Sequence, residues 1–181
     1  MEELREALGN FAVHARQFLA LVATPGPIDR LVFCRELLRI LPRLYAAALE
    51  VGDVRPIPYE SDQSTWRKSV DEMYPVAPEE WEAIRARAEM IIQDRRHYRV
   101  QYDPTIRDAV LDDAVVGDLA DDMADIFRDV RPLLEAWDSG TAYLPDLKAA
   151  LGPISLFPTH WGVHVVHSLV GLHFIVFDYG V

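Results

Sequence analysis

Asp118-Leu-Ala-Asp-Asp-Met-Ala-Asp-Ile-Phe-Arg-Asp-Val-Arg-Pro-Leu-Leu-Glu-Ala-Trp137 is the stretch on which the reading of this chain turns. Leu119, Met123, Ile126, Val130, Leu133 and Trp137 recur every three or four residues, the period of a helix with one buried face. Beside them Asp118, Asp122, Asp125 and Asp129 recur at +4, +3 and +4. On a helix that spacing draws four carboxylates into one narrow stripe. The acidic face therefore borders the buried one.

Helical signals begin near Asp113 and stop at Asp138-Ser-Gly140, where glycine favours a C-terminal cap. Upstream, Phe11, Ala15, Phe18, Leu19 and Val22 predict a first helix over 2–23, ended by Thr24-Pro-Gly-Pro27. Asp29 caps a second helix to about Glu50, with Leu31, Cys34, Leu38, Leu41 and Tyr45 on one stripe and Pro42 expected to kink or split it. Gly52, Pro56 and Pro58 make 51–63 a long loop, and a short helix is expected around Trp66 within 64–74. Pro78 followed by Glu79, Glu80 and Trp81 starts a helix that should reach Arg96.

Tyr98-Arg-Val-Gln-Tyr-Asp-Pro104 then reads as extended. Further helices are expected over 143–151, before the Gly152-Pro153 breaker, and over 158–177. Strand-type alternation is missing nearly everywhere. The expected fold is all-α: a single-domain bundle of roughly six helices over 1–181, with a short extended segment near 98–103. Any sub-boundary falls in the loop 51–63.

The composition agrees. With 181 residues, 50% hydrophobic and 26% charged, the chain has the make-up of one globular domain rather than of a disordered segment. A lone cysteine, Cys34, excludes a disulfide framework and any multi-cysteine zinc site; on the second helix's apolar stripe it reads as a core residue. The acidic start Met1-Glu-Glu-Leu-Arg-Glu6 does not fit a secretory signal. The apolar run from Trp161 to Phe177 is broken by His164, His167, Ser168 and His173 and falls short of the about 20 residues a membrane span needs. A cytoplasmic protein without membrane contact is expected.

The net charge of −11 disfavours nucleic-acid binding, and it is unevenly spread. Twelve acids lie between Asp103 and Asp146 against Arg107, Arg128 and Arg131, while residues 1–102 are nearly balanced. Like charges at +3 and +4 cost about 0.2–0.5 kcal/mol each, and aspartate is itself a poor helix former. Three things can offset that cost. Arg85, Arg87, Arg95, Arg96 and Arg99 can pair with the stripe. A divalent cation such as Mg²⁺ can bind two or three of its carboxylates, or a basic protein partner can cover it.

His160, His164 and His167, at +4 and +3, share one face of the last helix, with His173 nearly opposite. A +4 histidine pair is a zinc-ligand spacing, but no His-Glu-x-x-His completes it and no carboxylate occurs between Asp146 and Asp178. The further ligand has to come from another helix, and the acidic helix is the candidate. The alternative is a buried helix whose histidines are hydrogen-bonded by acidic neighbours. Gly162 and Gly171 suit close helix approach. Phosphate-cradling loops and the Gly-x-Ser-x-Gly nucleophile elbow do not occur, and Lys68 and Lys148 are the only lysines.

Tyr98-Arg-Val-Gln-Tyr-Asp-Pro104, Asp121-Asp-Met-Ala-Asp-Ile-Phe-Arg-Asp129 and His160-Trp-Gly162 with His164 and Leu172-His173 together resemble an uncharacterised bacterial helical group, the domain of unknown function 5063 family. The resemblance covers roughly residues 98 to 173. It implies an all-α fold and a recurring arrangement of the Asp stripe and the His-Trp-Gly segment, with no assigned activity.

Two readings follow. The favoured one is a non-enzymatic structural or partner-binding module, alone or as a homo-oligomer, with no cofactor. The alternative is a divalent-metal-binding protein or metal-dependent hydrolase, with Asp118, Asp122, Asp125, Asp129, His160 and His164 as the ligand set for Mg, Mn or Zn.

Overall fold

The computed structural model describes residues 2–54, 76–101, 114–140, 157–158 and 160–177. Among them the chain runs α1 (Glu2–Ala23), α2 (Arg30–Val54), α3 (Pro78–Ile92), β1 (His97–Gln101), β2 (Ala114–Asp118), α4 (Leu119–Asp138) and α5 (Trp161–Phe177). The helical single domain is as expected, with five helices described and one small hairpin added. The helices expected over 64–74 and 143–151, and residues 55–63 of the expected loop, lie outside the described residues; 51–54, expected to begin that loop, instead continue α2.

Helix α1 buries Leu4, Leu8, Phe11, Ala15, Phe18 and Val22 at alternating steps of four and three, so its inward stripe follows the helical period. At the head of α2, Asp29 Oδ1 accepts the N–H groups of Leu31 and Val32 at 2.9 and 3.1 Å, satisfying donors the first turn cannot pair. Pro42 does not split α2, contrary to one of the two expected outcomes. It lies on the solvent face between the buried Leu41 and Leu44. Burial on both sides holds the helix together. Helix α3 starts at Pro78, with Glu80 Oε2 accepting the Ala77 N–H at 3.2 Å, and ends at Ile92; the turn on to Arg96 is 3-10 rather than α.

Residues 114–118, expected to be helical, instead form β2 and pair antiparallel with β1, from His97 opposite Asp118 to Gln101 opposite Ala114. The β-branched Val115 and Val116 suit a strand, and their partner lies too far back in the chain for local periodicity to reveal it. The expected extended segment near 98–103 is β1.

Helix α1 packs on α2, α3 on α4, and α5 lies against both α2 and α4. The fully buried Trp161 opens α5 beneath Phe11 of α1 and beside Phe157, which also meets Tyr45 of α2. These rings fasten the start of α5 to the first helical pair. Among the described residues no helix is long and apolar enough to cross a membrane. The Cys34 thiol is buried, and burial pushes it up to about 11, as befits a core residue.

At that junction the Gly162 N–H donates to the Phe157 carbonyl at 3.1 Å, and a Cβ on Gly162 would lie 2.3 Å from the same oxygen. Backbone would have to move to admit it. Gly162→Ala is therefore expected to lose about 1–3 kcal/mol in denaturant unfolding. An unchanged midpoint would contradict this close approach.

Candidate acid–histidine site

The first turn of α5 faces the middle of α4, and its residues meet the Asp stripe pairwise. His164 Nδ1 lies 2.7 Å from Asp122 Oδ1, and His160 Nδ1 lies 2.5 Å from Asp129 Oδ2. His164 Nε2 is 3.5 Å from Asp125 Oδ2. The two imidazoles stand edge to face with centroids 4.9 Å apart. Two rungs form, although the histidines are four residues apart and their acids, Asp122 and Asp129, are seven.

Each carboxylate has further partners. Asp122, only 4% exposed, accepts the Tyr98 hydroxyl at Oδ2 (2.5 Å). Ser168 Oγ lies 3.2 Å from that oxygen and 2.7 Å from the His164 carbonyl. Asp125 Oδ1 accepts the Trp81 indole N–H at 3.0 Å and pairs with Arg128 Nη2 at 2.8 Å. Asp129, 5% exposed, has Arg128 Nε at 3.6 Å. Buried carboxylates are tolerated when their lone pairs are taken up in this way.

The hairpin delivers Tyr98. A Cβ on Gly117, its cross-strand partner, would sit 2.3 Å from the tyrosine ring, and one on Gly171 of α5 would sit 3.0 Å from it. Glycine at both positions leaves a slot in which the ring lies between β2 and α5 with its hydroxyl on Asp122. The close approach anticipated at Gly171 is therefore to Tyr98 and Leu119 rather than to a helix backbone.

The six expected site residues do not all converge. Asp118 is the N-cap of α4, where its side chain accepts the Ala120 N–H at 2.9 Å, and it faces Arg96 at 3.2 Å and His97 at 3.6 Å. It takes no part in the His160–His164 cluster. The expected arginine pairing is found at the edge of the stripe: Arg96 reaches Asp118 and Arg85 reaches Asp121 at 3.4 Å. Arg87 instead donates to the Gly26 carbonyl at 2.8 Å. The middle of the stripe is served by Arg128 of its own helix. Trp81, Tyr98 and Ser168 were not identified as partners from the sequence. For Ser168 a signal existed, since it lies four residues beyond His164 on the same face.

Burial works against charge on His164, but the hydrogen bond its ring donates to Asp122 and the charges of Asp122, Asp125 and Asp129 outweigh it and hold this imidazole above its usual value. At His167 burial, aided by the neighbouring His164, outweighs the charge of Asp122 and keeps it below the usual value. Burial, reinforced by Asp122, raises the Tyr98 phenol far above its ordinary range, so it remains a donor.

The family described as domain of unknown function (DUF5063) matches residues 2–178. Among solved structures, the chain is similar to the crystal structure of protein BF1032 from Bacteroides fragilis, with 23% identity over 92% of this chain and 93% of that one and a TM-score of 0.67. At that identity the likeness is one of fold. No curated protein matches the chain.

The His164 shift sets a pH dependence with a definite sign. A folded value above the unfolded 6.5 gives stability that is full below the unfolded value and lost as pH rises through the folded one. In metal-free buffer the melting temperature is expected to fall as pH is raised from below 6.5 into the alkaline range. His164→Asn should flatten that slope. An identical slope in the variant would assign the effect to another group.

Proposed function

The chain belongs to the DUF5063 family, whose match spans nearly its whole length, and we propose that it is a non-enzymatic helical module, structural or partner-binding. One observation carries this reading: the carboxylates of the stripe are taken up by the chain's own donors. Asp118 holds Ala120 N–H and Arg96; Asp122 holds Tyr98 and His164; Asp125 holds Trp81 and Arg128; Asp129 holds His160. These bonds tie α3, the hairpin, α4 and α5 to one another. Polar groups so placed give the packing of helices a single register.

The outer face of α5 supports the partner-binding half of the reading. Val166, Val170, Phe174 and Phe177 are exposed, Phe174 by 66%, and their spacing sets them on one stripe to the side of the histidine face. Contiguous exposed apolar residues mark interaction surfaces more often than free ones.

The reading is tested by the direction in which stability changes. Groups held in place for chemistry are commonly replaced with a gain in stability, whereas groups that lock a fold are not. Asp122→Ala leaves the His164 ring N–H and the Tyr98 hydroxyl without their acceptor, and should cost about 3–5 kcal/mol in denaturant unfolding of metal-free protein. A neutral or stabilising result overturns the structural reading.

A further inference from the structure

We propose that Asp125, His160 and His164 form a binding site for one first-row divalent transition ion, such as Zn²⁺, Mn²⁺ or Co²⁺. This goes beyond the locking role of the cluster, because it concerns ligand atoms that the locking bonds leave available.

The three residues offer ligand atoms that all lie within 4.8 Å of one another. His164 Nε2 and Asp125 Oδ2 are already 3.5 Å apart. In a tetrahedral zinc site, ligand atoms about 2.1 Å from the ion stand about 3.4 Å from each other. That edge of the polyhedron needs almost no movement, and the others need only a small closure of the imidazoles.

Each ligand is also held from behind. His164 Nδ1 faces Asp122 and His160 Nδ1 faces Asp129, so both Nδ1 protons are engaged by carboxylates and the Nε2 lone pairs are the ones free to ligate. A carboxylate on the far nitrogen orients a metal-binding imidazole and raises its basicity. Asp125 is arranged likewise: Trp81 and Arg128 hold Oδ1, leaving Oδ2 toward the histidines. A cluster serving packing alone does not require Asp125, His160 and His164 each to bring a ligand atom within 4.8 Å of the other two.

Charge and ligand type narrow the occupant. Among the described residues Asp125 and Asp129 share one guanidinium, that of Arg128, and Asp122 faces the His164 imidazole, so with neutral imidazoles these described groups leave the three carboxylates two positive charges short. Two imidazole nitrogens and one carboxylate suit borderline first-row ions, whereas Mg²⁺ and Ca²⁺ prefer oxygen cages. Three protein ligands leave room for water or a small anion in the remaining positions.

The test uses full-length protein without a histidine tag, stripped with EDTA and titrated with Co²⁺. The expected result is one equivalent bound per chain, with visible ligand-field bands that Zn²⁺ abolishes and excess Mg²⁺ does not. Asp125→Asn and His160→Ala should eliminate the bands. Asp129→Asn, which removes only the charge behind His160, should weaken binding about 10–100-fold at unchanged stoichiometry. His173→Ala, on the exposed side of α5, should bind as the parent does. Absence of the bands in the parent protein, or binding that persists in folded Asp125→Asn or is lost in His173→Ala, overturns the proposal. Circular dichroism establishes that each variant is folded, and Asp129→Asn supplies the answer if His160→Ala is not.

Discussion

Asp122 carries a carboxylate into the interface of α4 with α5 and the hairpin, where 4% of the residue remains exposed. Removing such a charge from water costs several kcal/mol, and the surrounding structure is arranged around that cost. His164 supplies a compensating imidazole, Tyr98 a hydroxyl from β1, and Ser168 a second hydroxyl one turn further along α5. None of these groups is near Asp122 in the chain. Their convergence depends on the pairing of β1 with β2, on the slot left by Gly117 and Gly171, and on the aromatic junction that sets the start of α5.

Along α4 the same problem is solved in three ways. At the cap, Asp118 uses the Ala120 N–H and an arginine at moderate exposure, where the positive end of the helix dipole also favours it. In the middle, Asp122 and Asp129 are buried against imidazoles, beyond the reach of the dipole. Asp125 lies between them and divides its two oxygens, one toward Trp81 and Arg128 and the other toward His164. This divided carboxylate separates a fully closed lock from a cluster with ligand capacity to spare, and it makes the structural and metal-binding roles compatible in one place.

Much of the fold was legible because apolar spacing is a local property. The stripes of α1 and α4, the Asp29 cap and the Pro78 start each depend on residues within a few turns, whereas on α2 the expected Leu31 is exposed and Phe33, Leu37 and Leu44 are buried instead. The error at 114–118 had the opposite origin: a five-residue strand acquires its partner from residues 97–101, and short apolar segments are ambiguous until that partner is known. Pro42 likewise reads locally as a break, yet the buried residues flanking it keep α2 continuous. In the site, the carboxylate stripe and the histidine face are legible from helical spacing, while which histidine meets which aspartate is not, and Trp81 and Tyr98 are hidden because single aromatics carry no periodic signal.

The sequence by itself determined a helical chain, a carboxylate stripe bordering an apolar one, and histidines sharing one helix face, because helical geometry converts spacing into faces without reference to anything distant. Only the tertiary structure decided that Asp118 leaves the stripe to cap its helix, that Asp122 and Asp129 each receive one imidazole, and that Asp125 keeps an oxygen turned toward both. The physical reason is that a buried charge is satisfied by whichever groups the packing of other elements brings within about 3 Å. That arrangement is a property of the assembled helices and hairpin, and no single segment specifies it.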